Sequence, residues 1–337
     1  MGEERLYNVL TVGRSSIDLY SNDIGAPFEE IGSFAAFVGG SSTNIAIGSN
    51  RLGLKTVLLT AVGNDMVGRF IMSYLKKEGI ETEYIRTIDE ARSSAVILGI
   101  EPPDKFPLVY YRDNAADWHI STEDIDAIGM ANVDFVVLSG TALAREPSRS
   151  TTLYAAEQGK ANNTRVLLDL DFRMDQWNDP QEYSQMIQRV LPYVDMVLGT
   201  REELLASLYT EDTYIQIDDQ QISAPSIQGD LDRVLAQYVN FDLQVILKEG
   251  ANGASIITAD HREQVPGFDV EVLNVLGAGD AFAAGLLYGL IKGWTLSKSV
   301  RTANACGAIL VTKHGCSNFS PTESELQQFM LNHDTPL

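Results

Sequence analysis

Residues 275–282 read Val275-Leu276-Gly277-Ala278-Gly279-Asp280-Ala281-Phe282 and lead into a run of small and apolar residues from Ala281 to Lys292. The run reads as a helix, so two glycines and a carboxylate fall at its N-terminus. A helix N-terminus presents unpaired backbone N–H groups and a partial positive charge, which suits a phosphate or a developing oxyanion. Glycines there let the main chain approach such an anion closely. A carboxylate at the same spot repels a resting phosphate unless it is there to take a proton. The combination points to phosphoryl transfer to a hydroxyl, with Asp280 as the general base. A tightly packed glycine-rich helix start, with Asp280 only a cap, is the competing reading of this octapeptide alone.

Spacing excludes two other phosphate sites. A P-loop needs G-x-x-x-x-G-K-[ST], and Gly159-Lys160 lacks both the upstream glycine and the following hydroxyl. A dinucleotide fingerprint needs a third glycine and a place on the first βα turn, and this motif has neither.

The charge balance narrows the partners. With 337 residues, 45% hydrophobic, the chain can bury a sizeable core. Its net charge of −21 and pI near 4.5 repel nucleic acid and anionic membrane, which both need basic patches. Any anion site must therefore supply its own cations and N–H donors. No apolar run approaches a membrane span. The acidic start, Met1-Gly2-Glu3-Glu4-Arg5, is not that of a signal peptide. Cys306 and Cys316 form no C-x-x-C pair and read as small core residues in a reducing cytoplasm. The four histidines form no metal-binding cluster.

Short β-branched runs alternate with helical patterns. Predicted strands are Asn8–Val12, Thr56–Val62, Asp134–Leu138, Arg165–Asp169, Met196–Leu198, Gln244–Lys248 and Ala254–Ile257. Predicted helices are Thr43–Leu52, Met66–Glu78, Pro147–Gln158, Gln181–Val190, Arg201–Leu208, Leu231–Asn240, Ala281–Lys292 and Ser297–Thr312. The alternation predicts an α/β fold, a doubly wound, mostly parallel sheet with helices on both faces. Ser33–Val38 and Ser93–Tyr111, the latter with a Pro102-Pro103 turn, break it and read as a small β-sheet lid. One domain spanning 1–337, with a lid from about 14–38 and 93–119, is the expected organisation.

A second motif runs from Gly39-Gly40-Ser41-Ser42-Thr43-Asn44 through Arg51-Leu52-Gly53 to Val62-Gly63-Asn64-Asp65. Together with Gly277-Ala278-Gly279-Asp280 it resembles the paired signatures of the ribokinase/PfkB family of carbohydrate kinases, over essentially the whole chain. Further segments narrow the resemblance to kinases of keto-deoxy sugar acids: Val12 to Tyr20, Tyr110-Tyr111-Arg112, Asn274-Val275-Leu276, and Asn304 to Cys316. The resemblance implies a ribokinase-like fold, ATP and Mg²⁺ as cofactors, and a homodimer through the β-lid. The implied reaction is γ-phosphoryl transfer to the terminal (C6) hydroxyl of 5-dehydro-2-deoxy-D-gluconate.

It also implies roles residue by residue. Asp280 matches the base, and the N–H groups of Gly277, Ala278 and Gly279 match the anion hole. Asp18 matches a position that accepts bonds from substrate hydroxyls, and Gly40 and Asn44 match substrate-contacting positions, with a cap or turn role as the structural alternative for Asp18 and Asn44. Arg112, following Tyr110, and Arg173 match positions that hold the substrate carboxylate, with Arg14 a third candidate. Arginine's planar fork suits a carboxylate, although pairing with an acidic neighbour is the competing role. Lys248, Gly250, Gly253, Gly277, Gly279 and Asn304 fall on the nucleotide side. Glu202 matches the glutamate of an Asn-x-x-Glu motif that orders Mg²⁺ through water, but Gly199 stands in the Asn place. Asn274 and Leu276 stand where many relatives carry an Asp and a Thr that help hold a monovalent cation, which speaks against K⁺ activation. For Tyr111, Trp118, Trp177 and His119, packing is the expected role.

Within the family, 2-keto-3-deoxygluconate kinase and fructokinase are the competing readings. A catalytically silent sugar-acid-binding protein is the alternative of another class, and the intact Asp280 with its glycines speaks against it. A nucleotide-binding oxidoreductase lacks its fingerprint.

Overall fold

A computed structural model describes residues 5–102, 105–210, 212–216 and 225–333. The acidic residues of the chain start and Pro103 of the expected turn lie outside the described residues. Runs such as VDFVVLS and QVILK carry apolar residues on both faces of the pleat, the signature of strands covered on two sides. They build an eight-stranded sheet whose spatial order starts Arg262–Val265, Ala254–Ile257, Gln244–Lys248, Met196–Thr200. It continues Arg165–Asp169, Val133–Ser139, Tyr7–Val12, Thr56–Leu59. The last six are mutually parallel, with Leu10 opposite Val57 and Val136, and only the first two pair antiparallel.

Alternation along each strand divides the core. Val9, Leu167, Leu198 and Ile246 face one layer, with the helices Ser41–Arg51, Ala278–Ile291, Leu296–Val311 and Glu323–Asn332. Leu10, Leu168, Val197 and Val245 face the other. In the first layer small residues bring the helices close: a Cβ on Gly285 would lie 2.8 Å from Cys306 Sγ, and one on Gly48 2.9 Å from Ala284 Cβ. Cys306 and Cys316 are both free and buried, as expected of small core residues. Among the described residues no helix is long and apolar enough to cross a membrane.

A separate four-stranded sheet, in the order Phe34–Gly39, Ser16–Ser21, Ser94–Leu98, Leu108–Tyr111, covers one end of this body. Two of its strands were expected as one interrupted segment; Ser16–Ser21 is an additional strand that carries Asp18. Three other differences have local causes. Thr56–Val62 breaks at Thr60 into two strands that pair in different sheets. The Thr122–Ile128 and Glu323–Asn332 helices, unforeseen above, each open on a capping box, Ser121 with Asp124 and Thr322 with Glu325. The helix after the glycines begins at Ala278 rather than Ala281, which places Asp280 within its first turn.

Candidate active site

Gly277 starts the site. It caps the Ala278–Ile291 helix at φ 80°, a left-handed conformation open to glycine at little cost. The turn before it is held by Asn274, fully buried, whose Oδ1 accepts the Leu276 N–H at 3.0 Å and whose Nδ2 donates to Gly315 O at 3.3 Å. The Ala278 N–H donates to Val275 O at 3.2 Å. This corrects the expected anion hole: Ala278 is committed to its own turn, and the Gly277 and Gly279 N–H groups remain for an anion.

Asp280 then meets the second motif. Gly40, at φ 104°, begins the Ser41–Arg51 helix against the Arg14 carbonyl, where a Cβ would come within 2.4 Å. One turn on, Asn44 Nδ2 donates to Asp280 Oδ2 at 2.7 Å. Burial, reinforced by the Asp171 charge, pushes the Asp280 carboxyl up to about 6 despite the Asn44 bond. Such a group is ionised at neutral pH yet basic enough to accept a hydroxyl proton.

Two cavities meet at this point. One, of ≈520 Å³, is walled by Gly250, Gly253, Pro266, Phe268, Asn304 and Ala308 among others. The second, of ≈360 Å³, is walled by Tyr110, Asp171, Arg173, Glu203 and Asp280 among others. Lys248, Gly250, Val275, Ala278 and Gly279 line both. The larger, mostly glycine- and apolar-walled cavity suits a flat base. Asn304 there holds the wall itself, its Nδ2 donating to Val265 O and Pro266 O at 3.1 and 3.0 Å.

Lys248 stands at the seam. Its Nζ lies 3.2 Å from Asp169 Oδ1 and 3.4 Å from Glu203 Oε2, and a Cβ on Gly279 would be 3.4 Å from it. Those carboxylates raise its affinity for a proton against the effect of burial. Burial together with neighbouring Glu203 and Asp171 raises the Asp169 carboxyl, even with Lys248 beside it. The position next to Gly279 puts a fixed cation where the two cavities join.

Glu203, not Glu202, faces this seam. Thr200 caps the Arg201–Ser207 helix and forms a capping box with Glu203, so the motif's register is Thr200-x-x-Glu203. Glu202 lines neither cavity. The capping-box pattern was present in the sequence, but the spacing from Gly199 pointed one residue short. Among the described residues no group of three or more His, Cys, Asp or Glu side chains could hold a metal. Glu203 Oε2 accepts from the Thr200 N–H at 2.8 Å and lies 3.4 Å from Lys248 Nζ.

On the opposite wall Asp171 is the centre. It holds φ 35°, a left-handed conformation that aspartate adopts more readily than most side chains, and it accepts from Ser139 Oγ at 2.9 Å and Thr141 Oγ1 at 3.1 Å. Arg173 Nη2 pairs with Asp171 Oδ1 at 3.0 Å, and Nη1 lies 3.9 Å from Glu203. Burial opposes ionisation of Asp171, but Arg173 and Arg14 hold its carboxyl below the usual range. Asp169, Asp171 and Glu203 went unassigned in the sequence because only the folded sheet places them together.

Asp18 is buried, accepts from Ser16 Oγ at 2.6 Å, and sits against Gly39, where a Cβ would overlap its carboxylate. Burial raises its carboxyl, partly offset by Arg14. Arg112 is placed differently from the expectation. Its Nε and Nη2 both bond Asp117 Oδ2, the first at 3.0 Å, and Nη1 donates to Gln176 at 3.3 Å. Its guanidinium lies 3.4 Å from the centre of the Trp118 ring, and it lines neither cavity. Trp177 packs edge-on against Tyr183.

Comparisons with known proteins agree with this geometry. The chain matches the pfkB family carbohydrate kinase over residues 7–323. It is 32% identical over 335 residues to a 5-dehydro-2-deoxygluconokinase of Geobacillus kaustophilus, covering 98% of this chain and 96% of that protein. It is 34% identical over 333 residues to 5-dehydro-2-deoxygluconokinase 1 of Bacillus cereus, with 97% and 96% covered. An Escherichia coli protein provisionally assigned as a ribokinase II, solved with ATP and Mg²⁺, superposes with a TM-score of 0.83 at 21% identity, covering 97% of this chain and 100% of that one. With a buried carboxylate at a glycine-capped helix, two cavities joined at a lysine and a family match across nearly its whole length, this chain belongs to the PfkB family of carbohydrate kinases, phosphotransferases that act on a sugar alcohol group.

Proposed function

We propose that this kinase transfers the γ-phosphoryl group of ATP to the terminal C6 hydroxyl of 5-dehydro-2-deoxy-D-gluconate. The observation that carries the reading is Asp280, held by Asn44 on the wall of the smaller cavity and next in sequence to Gly279, which lines both. The names of the relatives support the keto-acid substrate, and Arg173 on the wall of the smaller cavity supplies charge suited to its carboxylate. Asp280 Oδ1 accepts the hydroxyl proton as the oxygen attacks phosphorus. Lys248 and the Gly277 and Gly279 N–H groups stabilise the charge on the transferring group. Glu203 would hold the nucleotide's Mg²⁺ through bound water, where the ion neutralises phosphate charge. Tyr110 lines the smaller cavity that would take the substrate, and the resemblance adds Gly40 and Asp18.

The small sheet serves as a lid over the smaller cavity, since Leu108 and Tyr110 of its last strand line that cavity. The exposed Phe34, Val109 and Tyr111 on the same sheet suit contact with a second copy in a homodimer. Free, buried cysteines suit a reducing compartment such as the cytoplasm.

The test is ADP release with a panel of sugars and sugar acids. A buried charge-assisted bond contributes ~1.5–3 kcal/mol, so Arg173→Ala should weaken use of keto acids ~10–150-fold and leave fructose, a poor substrate, nearly unchanged. Fructose or ribose preferred over every acid, with Arg173→Ala silent, would refute the keto-acid assignment and leave the sugar kinase. A second expectation concerns monovalent cations. Both polar ends of the Asn274 amide are already bonded to the protein. Rates in K⁺ and in Na⁺ at constant ionic strength should agree within about a factor of two, less than 0.5 kcal/mol; a saturable K⁺ requirement would contradict this.

A further inference from the structure

The two motifs that meet at Asp280 are tied together a second time, through residues 315–320 after the Leu296–Val311 helix. Ser317 is fully buried and its Oγ donates to Val38 O at 2.6 Å; Cys316 Sγ donates to the same carbonyl at 3.3 Å. Val38 stands directly before Gly39 and Gly40, and Gly40 caps the Ser41–Arg51 helix that carries Asn44. At the far end of that helix Arg51 Nη1 donates to Asn318 O and Ser320 O at 2.8 and 3.0 Å. The segment therefore grips the helix at both ends. Just ahead of it, His314 packs edge-on against Tyr20 and Phe37 of the small sheet, with ring centres 6.1 and 6.3 Å apart.

The same segment reaches the glycine turn. Gly315 O accepts from Asn274 Nδ2 at 3.3 Å, and a Cβ on Gly277 would lie 3.3 Å from Cys316 Cβ. A closed circuit results. It runs from Asn44 to Asp280, back along the helix start to Gly277 and Asn274, across to Gly315, and through Ser317 and Val38 to Gly40. One joint of the circuit is the 2.7 Å bond between Asn44 and Asp280. Asn274, Ser317 and Val38 line neither cavity, so what they contribute is geometry. Close-packed interiors transmit displacement, and a misplacement of ~1 Å at a reacting group can cost ~10²-fold in rate.

We propose that Ser317 is a positioning residue for phosphoryl transfer: through Val38 it sets the distance between Asn44 and the Asp280 carboxylate. This rests on Asp280 being the base. The test measures kcat, KM and the acid limb of the pH profile in Ser317→Ala, Ser317→Thr and Asn274→Ala, with Tyr238→Phe as a stability control. Ser317→Ala should lower kcat ~5–10-fold and leave KM for ATP and sugar acid within about twofold, the scale of one buried hydrogen bond acting on turnover. The Asn44 bond favours the ionised carboxylate, so loosening it should move the acid limb upward from about 6 by ~0.5 pH units. Of the other groups that face Asp280, namely Ser41, Asp169, Asp171, Arg173, Tyr20 and Cys316, none loses its charge or polar atom in this variant. Asn274→Ala, at the opposite joint, should give the same pair of changes. Ser317→Thr keeps the hydroxyl and should return kcat to within about twofold of the parent. Tyr238→Phe removes a buried partner of Ser207 away from both cavities, so it should melt lower and keep the parent's pH profile. Ser317→Ala whose only change is a lower melting temperature would overturn the assignment, as would Ser317→Thr as slow as Ser317→Ala. Should Ser317→Ala fail to fold, Asn274→Ala decides, and an unmoved acid limb there counts against the proposal. Full turnover in Asp280→Asn would remove the base itself; a parent-like Ser317→Ala beside an inactive Asp280→Asn removes the positioning role alone.

Discussion

Asp280→Asn is expected to lower kcat by at least ~10²-fold, the low end for loss of a general base, with ATP affinity kept. The substituted amide can still accept the Asn44 Nδ2 bond that Asp280 Oδ2 accepts at 2.7 Å, so the local geometry survives. What disappears is the oxygen that takes the hydroxyl proton. The parent's kcat/KM should also fall as pH drops through about 6, where burial and the Asp171 charge have raised this carboxyl. Stability should move the other way. A carboxyl raised on folding disfavours the folded state once pH exceeds the folded value, and this cost is absent below the unfolded one. Asp280→Asn should therefore melt higher than the parent at pH 8 and level with it below pH ~4, the unfolded carboxylate range. Turnover within a few-fold of the parent would remove Asp280 from the chemistry.

Lys248→Met should have the second largest effect, on two readouts. Methionine fills the space of the stem but leaves Asp169 and Glu203 facing each other without the ammonium that lies 3.2 and 3.4 Å from them. Breaking a buried pair from one side costs up to ~3–5 kcal/mol. Because both orphaned groups are carboxylates, protonation relieves that cost, so the destabilisation should be larger at pH 8 than at pH 5.5 in denaturant titrations. The same variant loses the cation beside Gly279 where the two cavities join, and kcat/KM for ATP should fall by at least ~10²-fold, in line with loss of a preorganised charge at a transferring group. Equal stability at both pH values with normal use of ATP would show that Lys248 is neither a keystone of the network nor a phosphate contact.

Much of this site is written in local sequence. Gly277-Ala278-Gly279-Asp280 announces a glycine-capped helix start with a carboxylate in its first turn, and Gly39-Gly40 followed by Asn44 marks a second motif; the fold packs the two helices together and joins Asn44 to Asp280 by a hydrogen bond. The β-branched runs likewise announce the parallel sheet, because strands covered on both faces are apolar throughout. The misread parts depend on tertiary pairing or a one-residue register. Glu203 was hidden behind Glu202 because Gly199 suggested the wrong origin for the motif, although Thr200 and Glu203 already formed a capping-box pattern. Nothing near Arg112 reveals that Asp117 and Trp118, five and six residues on, fold back onto its guanidinium. Asp169 and Asp171 follow one strand, Lys248 ends a second and Glu203 sits on a helix, and their network exists only once the sheet order is set.

The most direct measurement is phosphorus NMR of the product formed from ATP and 5-dehydro-2-deoxygluconate, with ADP followed in parallel. The account predicts a phosphate monoester at C6, one ADP per product, and rates above those for fructose and ribose. Phosphate on any other carbon, or faster transfer to a neutral sugar than to this acid, would contradict it.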